Sequence, residues 1–201
     1  MRALYDFIVE PFGNRYENIK QVGGKDLYIN TNIENHNHVS RLAKVLSTPV
    51  NIDTSINVGD IIVIHHNVFR RYYDIRGEEK NSRSYFKDNK YFVSIDQIFL
   101  YHKNKRWNSF LNRCFIKPLK QEEEFSTSKK KKNFGVIRYG NESLEKLQVE
   151  EGDIVSYKNK REFEFVINDE LLYCMKSNDI LLNHGRKKDE KEYNPSWAHS
   201  S

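Results

Sequence analysis

Apolar residues occur in short runs along this chain, separated by polar loops that carry Gly, Asn or Asp. The runs are rich in β-branched and aromatic residues, which is typical of β-strands. They are ALYDFIVE, RLAKVLS, DIIVIHH, KYFVSI and QIFLYHK, then CFIKPL, FGVIRYG, DIVSYK, EFEFVIN, LLYCMK and DILL. The nearest approach to helical periodicity, ESLEKLQVEEGD, meets a glycine after about two turns. The pattern predicts an all-β fold, a small barrel or a sandwich.

Composition fits a folded protein, because 38% of the 201 residues are hydrophobic and 30% are charged. The net charge of +5 permits acidic partners or nucleic acid without requiring them. No apolar run approaches the roughly 20 residues that a membrane span needs, and the first residues mix charge with apolar side chains, unlike a signal peptide. We therefore expect a cytoplasmic protein, with Cys114 and Cys174 reduced and buried.

The chain repeats itself. INVGDIIVI at 56–64 returns as VEEGDIVSY at 149–157, and FVSIDQIFL at 92–100 returns as CMKSNDILL at 174–182. Ala43 precedes Gly59 by 16 positions, and Gly135 precedes Gly152 by 17. Near-equal spacing predicts two copies of one fold: a domain over 1–102, a linker over 103–113, a second domain over 114–183, and a polar, disordered tail over 184–201.

These landmarks together resemble the GroES-type co-chaperonin family, written twice. The basic–Pro–Leu opening of that family is matched by Lys117-Pro118-Leu119 and, less closely, by Arg2-Ala3-Leu4. Its closing segment is matched by 175–181, MKSNDIL. The resemblance implies two tandem small β-barrels and a lid that caps a GroEL-type chaperonin ring around an unfolded client. The Gly-Asp pairs themselves are interpreted as strand-entry turns, with Asp accepting a bond from the turn backbone.

The resemblance places a mobile, chaperonin-binding loop between the first two strands, where the first copy has about 22 extra residues within 13–38. It implies a chaperonin contact through five residues: Gly23, Gly24, Leu27, Tyr28 and Ile29. Lys25-Asp26 separates the glycines from the apolar triplet, unlike the family pattern, so Val22 or Ile33 are alternative anchors. The other interpretation of the triplet is an extra edge strand packed on the barrel.

The second copy has EEEFSTSKKKKN where the loop would stand, so we expect no second chaperonin contact there. Its lysine run, Lys129 to Lys132, is interpreted as a solvated turn, because no aromatic residues interleave with it to stack bases. The first copy has a surplus of 11 residues within 65–90, where the family carries a roof hairpin. Phe69, Tyr72 and Tyr73 are roof candidates or strand core.

No motif indicates an enzyme. Asn35–His38 and His65-His66 lack further ligands at metal-site spacing, and there is no phosphate loop or nucleophile elbow. We expect no cofactor and no metal, with ATP bound by the partner chaperonin, and a homo-oligomer, favouring a heptamer. Nucleic acid and membrane are not expected partners. The alternatives are a basic nucleic-acid-binding β-barrel and a viral structural protein; the Lys/Asn-rich composition hints at a bacteriophage.

Overall fold

The computed structural model describes residues 3–16, 19–22, 25–28, 35, 38–121, 130–186 and 190–199, with the backbone alone for 19–22 and 25–28. The chain forms two compact units, Met1–Arg106 and Trp107–Ser201. The division falls within the stretch expected to be a linker, but strands occupy most of that stretch. Gly23, Gly24, Ile29 and Ile33 lie outside the described residues.

Strands dominate both units, so the expectation of an all-β chain is confirmed. In the first unit they are β1 (Phe7–Pro11), β2 (Ile19–Val22), β3 (Lys25–Tyr28), β4 (Leu42–Ser47), β5 (Ile61–Ile64), β6 (Arg71–Tyr73), β7 (Glu79–Asn81), β8 (Tyr85–Lys87), β9 (Lys90–Val93) and β10 (Ile98–Lys103). Strand β11 (Arg106–Ser109) crosses the boundary. The second unit has β12 (Arg113–Lys120), β13 (Lys130–Tyr139), β14 (Ile154–Tyr157), β15 (Phe163–Ile167), β16 (Glu170–Lys176) and β17 (Ile180–Asn183). The described helical segments are an α-helix, Glu142–Glu145, and 3₁₀ turns at His66–Val68, Ile95–Gln97, Ser177–Asp179 and Ser196–His199.

The two units share one order of six strands, as expected of two copies of one fold. The first sheet runs β11-β10-β5-β4-β1-β9-β8, and the second runs β15-β16-β12-β13-β14-β17. The register also agrees: Val9 faces Val45 as Ile116 faces Ile137. One residue earlier, both opening strands carry an irregularity in the ladder. Such bulges bend and twist a strand, so the two copies share curvature as well as order.

The two Gly-Asp turns have nearly the same backbone conformation and the same hydrogen bonds. Gly59 and Gly152 have φ of 94° and 90°, a left-handed conformation that favours glycine. Asp60 Oδ2 accepts from Asn57 N at 2.8 Å, and Asp153 Oδ2 accepts from Glu150 N at 2.9 Å. The interpretation of this pair as a strand-entry turn is confirmed.

The expected match of Arg2-Ala3-Leu4 with the opening of the second copy is wrong. Pro118 faces Gly135, and the residue facing the equivalent Ala43 is Pro11. The structural counterpart of Lys117-Pro118 is therefore Glu10-Pro11. The match by residue type failed because strand register, and not charge, fixes which positions are equivalent.

Neither sheet closes into a barrel among the described strands, because no ladder joins the end strands of either order. Each sheet is nevertheless strongly curled. Strands β16 and β17 are four places apart in their sheet, about 19 Å if it were flat. Only Ser177–Asp179 connects them, and a chain of that length reaches no more than about 14 Å. The fold is thus two curled, open sheets where the resemblance implied closed barrels.

Each unit encloses its own apolar core. In the first unit the fully buried side chains include Phe7, Val9, Val45, Ile62, Ile64, Phe69, Tyr91 and Leu100. In the second they include Cys114, Ile116, Ile137, Leu144, Val155, Leu171, Tyr173 and Ala198. Both cysteines are free and buried, as expected.

The described part of the tail is ordered, contrary to expectation. Tyr193 N donates to Pro118 O at 2.7 Å, and Leu171 N donates to the Asn194 side chain at 2.8 Å. Ala198 is fully buried in the core of the second unit. Polar composition suggested disorder, but the tail contributes a β-bridge from Glu192 to Leu119 and an apolar residue to the core.

Candidate functional site

The first unit carries an insertion between β1 and β4 whose base is firmly attached. Tyr16 and Val39 form an antiparallel bridge, and both side chains are buried. Ser40 N donates to Arg15 O at 3.0 Å, and Phe12 N donates to Leu42 O at 2.9 Å. The segment between Tyr16 and Val39 therefore starts and ends at one fixed point of the core.

Within the insertion, β2 and β3 form a two-stranded sheet of their own. Leu27 faces Lys20 and Tyr28 faces Ile19 in its register. The sheet is separate from the seven-stranded sheet, so in the described backbone this segment does not extend the main sheet. Of the expected chaperonin-binding residues, Leu27 and Tyr28 lie in β3, and Gly23, Gly24 and Ile29 lie outside the described residues.

A second projection, the β6–β7 hairpin, occupies the stretch expected to hold a roof hairpin. Its turn is organised by Asp74, whose Oδ1 accepts from the backbone of Arg76 at 2.8 Å and of Glu78 at 3.0 Å. The hydrogen bond from Glu78, then the one from Arg76, lowers the pKa of Asp74. Across the strands, Arg71 and Glu79 form an ion pair at 2.7 Å.

The roof candidates divide between surface and core. Tyr72 and Tyr73 are 40% and 51% exposed on the hairpin, whereas Phe69 is fully buried and packs edge-to-face on Tyr91 at 4.9 Å. Ile75, at the hairpin turn, is fully exposed and was missed by the sequence reasoning. A hydrophobic residue between Asp and Arg gave no signal, because only the fold reveals that it lies in a turn.

The bases of the insertion and the hairpin meet in a junction made of Arg15, Tyr16, Arg71, Asn81 and Tyr91. Arg15 donates to Phe69 O at 2.5 Å, to Asn81 Oδ1 at 2.7 Å and to Arg70 O at 3.3 Å. Its guanidinium also lies over the Tyr91 ring, 5.2 Å from the centroid. The Tyr16 hydroxyl accepts from Arg71 N at 2.7 Å. One set of side chains thus fixes both projections.

The pKa values of the two arginines at this junction are shifted in opposite directions. Burial lowers the pKa of Arg15, although the nearby Tyr91 and Tyr16 oppose the shift. Burial also acts to lower the pKa of Arg71, but hydrogen bonds with Glu79 and Tyr16 outweigh it and the pKa is raised. Sequence reasoning could not find this junction, because Arg15 and its partner Asn81 are 66 residues apart.

In the described residues of the second unit, no two projections meet at one set of side chains as they do at this junction, and the lysine run makes different contacts. Lys130 begins β13, donates to the Tyr173 hydroxyl at 2.5 Å and lies 5.0 Å over that ring. Lys131 pairs with Glu190 at 2.9 Å. The interpretation of this run as a solvated turn is therefore wrong for Lys130 and Lys131, since the strand begins earlier than the polar sequence indicated.

The described residues give no sign of a metal centre, since no three His, Cys, Asp or Glu side chains among them are arranged to hold an ion. His65 and His66 contact each other with ring centroids 4.3 Å apart. Within the same residues, no helix has the length and apolar character needed to cross a membrane.

No protein-family model matches the chain, and no curated protein matches its sequence significantly. Two projections fixed to one junction remain the most distinctive feature of the surface. The hairpin exposes Tyr72, Tyr73 and Ile75, and exposed apolar side chains that lie together mark surfaces for interaction with other molecules.

Proposed function

We propose that this protein is a tandem co-chaperonin of the GroES type, which caps a GroEL-type chaperonin ring and encloses a client protein. The observation that carries the proposal is the asymmetry between two otherwise repeated sheets. Only the first has an insertion with strands of its own between its opening pair of strands, as far as the described residues go. A lid needs one such contact arm per chain.

The insertion supplies the contact in this proposal. Leu27 and Tyr28, with Ile29 beside them, form the apolar anchor, and Gly23-Gly24 allows the chain to adapt on docking. Any part of the insertion that becomes ordered only on docking would lower the affinity, because the ordering entropy opposes binding. A lid that must leave its ring in every cycle requires that property.

The β6–β7 hairpin, with Tyr72, Tyr73 and Ile75 exposed, is the part of the chain that we assign to the roof of the closed chamber. Seven chains in a ring would place one insertion at each of seven chaperonin subunits, and a ring closes through head-to-tail contacts. ATP is bound and hydrolysed by the partner, so this chain needs no catalytic residues, and it acts in the cytoplasm.

The direct test is co-sedimentation with a GroEL-type ring, with and without nucleotide. A triple variant, Leu27→Ser with Tyr28→Ser and Ile29→Ser, should lose nucleotide-dependent binding. The matched control is Leu181→Ser with Leu182→Ser, because those leucines are 56% and 61% exposed on β17 of the second unit. We expect the control to bind like the parent chain.

Two results would count against parts of the proposal. Unchanged binding by the triple variant would keep the lid and move its anchor to Val22, Ile33 or the second unit. Failure of the parent chain to bind any GroEL-type ring in either nucleotide state would contradict the proposal itself.

A further inference from the structure

The edge of the first sheet exposes two phenyl rings among lysines. Phe86 on β8 and Phe92 on β9 are 39% and 37% exposed, and their ring centroids lie 5.1 Å apart at 50°. Lys87 Nζ lies over the Phe86 ring, 5.4 Å from its centroid. We call Phe86, Lys87, Lys90 and Phe92 the aromatic–lysine face.

Strand alternation explains why these rings point outward. Tyr91 and Val93, the neighbours of Phe92, are fully buried, so Phe92 stands on the opposite face of the sheet. Strand β8 lies at the end of the sheet order, and its ladder with β9 is irregular between Tyr85 and Lys87. Phe86 thus lies at an edge, where a ligand has lateral access.

The segment that carries the two rings has a net positive charge. Residues 83–92 contain three basic side chains, Arg83, Lys87 and Lys90, and one acidic side chain, Asp88. Asp88 lies in the turn between the strands, with φ of 49°. Apolar rings set among lysines suit a ligand that is flat and apolar in one part and anionic in another.

The equivalent edge of the sheet in the second unit also exposes a phenyl ring, but the residues beside it differ. Strand β15 occupies the equivalent edge, beside β16, and Phe163 on it is 40% exposed. Its neighbours in sequence are Glu162 and Glu164. Exposure of a phenyl ring at this edge is therefore common to both units, but a lysine directly follows Phe86, whereas glutamates stand on both sides of Phe163.

We propose that the aromatic–lysine face binds single-stranded nucleic acid. Unpaired bases stack on exposed aromatic rings, and lysines beside those rings neutralise the phosphates. A duplex does not fit, because its bases are already stacked on one another and present only their edges. The sequence-based expectation of no nucleic-acid partner was drawn from the lysine run at 129–132, which has no aromatic residues interleaved with it in the sequence. In this face Lys87 directly follows Phe86, and Phe92 follows Lys90 by two positions. The proposal is independent of the chaperonin-binding insertion.

Fluorescence anisotropy with labelled 15-residue oligothymidylate and oligouridylate tests this site in the full chain. We expect binding at low salt to either or both strands, with the preference between them reporting whether DNA or RNA is the better ligand. Phe86→Leu and Phe92→Leu, which keep apolar bulk and remove the stacking surface, should each weaken binding roughly tenfold. Lys87→Gln with Lys90→Gln should flatten the salt dependence by about 0.7 per lysine.

The matched control is Phe163→Leu, which should leave the affinity unchanged. Circular dichroism checks that every variant is folded. Absence of binding to both oligonucleotides would overturn the proposal. So would loss of binding in the lysine variant with full retention in both leucine variants, because that result means a diffuse electrostatic contact without stacking. Full retention of affinity in both leucine variants together with an unchanged salt dependence in the lysine variant would also overturn it, because the oligonucleotide would then bind elsewhere on the chain.

Discussion

The two units of this protein share a sheet and differ in what is attached to it. Tyr91 and Tyr173 occupy the same register position, opposite Val9 and Ile116, and both are buried. A cation lies over each ring, Arg15 at 5.2 Å in one and Lys130 at 5.0 Å in the other. Arg15 leads into the insertion, whereas Lys130 simply begins a strand. One core position thus supports two different connections.

The largest expected difference between the units is in stability, and it concerns Lys117 of the second unit and its equivalent in the first unit, Glu10. Lys117 is almost fully buried and pairs with Glu170 at 2.7 Å and with Glu192 of the tail at 3.3 Å. Lys117→Met should destabilise the second unit by about 2 kcal/mol, because it removes the buried cation from two carboxylates, of which, among the described residues, only Glu170 keeps another partner, Arg138 at 3.1 Å. Glu10→Gln, at the partly exposed equivalent position, should change the stability of the first unit by less than about 0.5 kcal/mol.

Chemical unfolding of the two variants, followed by tail proteolysis under native conditions, checks this pair. The tail should become cleavable in Lys117→Met alone. Equal destabilisation by both substitutions would contradict the role assigned to the tail in burying Lys117.

A smaller difference is expected at Gly135 and its equivalent Ala43. A methyl group on Gly135 would lie 2.6 Å from Lys117 O and closer still to the Ile116 side chain. Gly135→Ala should therefore cost about 2 kcal/mol of stability through overpacking. Ala43 is already buried at the same register, so Ala43→Gly should cost about 1 kcal/mol through backbone entropy. Thermal unfolding of both variants checks which substitution costs more stability. A larger loss of stability in Ala43→Gly than in Gly135→Ala would contradict the overpacking expected at Gly135.

Loss of one hydrogen bond at the junction of the first unit should lower stability by about 1 kcal/mol. Tyr16→Phe removes the acceptor of the Arg71 amide while keeping the ring that packs beside it. Amide hydrogen exchange at Arg71 should accelerate, and the neighbouring Glu79–Arg71 pair should weaken. The matched substitution Tyr173→Phe should leave exchange in the first unit unchanged. Unaltered exchange in Tyr16→Phe would mean that the hairpin is held without the insertion.

The smallest expected effect on stability at neutral pH is that of the thiols of Cys114 and Cys174. Burial raises the pKa of Cys174 to about 12 and raises that of Cys114 further. In the unfolded chain both thiols have the ordinary cysteine pKa of about 9.0. The unfolded state therefore loses protons first, and stability should fall as the pH rises from about 9 toward 12, with no change below that window. Thiol reagent at pH 8 should label both cysteines in urea and neither in the native protein; native labelling would contradict their burial.

Sequence reasoning reached what depends on local pattern and missed what depends on distant contacts. Strand composition and the turns at Gly59 and Gly152 were readable, because glycine and aspartate have local roles. The equivalence of Glu10-Pro11 with Lys117-Pro118 was hidden by opposite charge at one position. The ordered tail was hidden because its polar residues bond to backbone groups more than twenty positions away. The Arg15 junction was invisible for the same reason.

Removal of the insertion tests the central claim most directly. Tyr16 and Val39 form a bridge, so a short Gly-Ser linker can replace residues 17–38 at small entropic cost. We predict that this variant keeps the unfolding transition of the parent chain and no longer co-sediments with a GroEL-type ring in the presence of nucleotide. A folded variant that still binds the ring with parental affinity would contradict the assignment of chaperonin binding to the insertion.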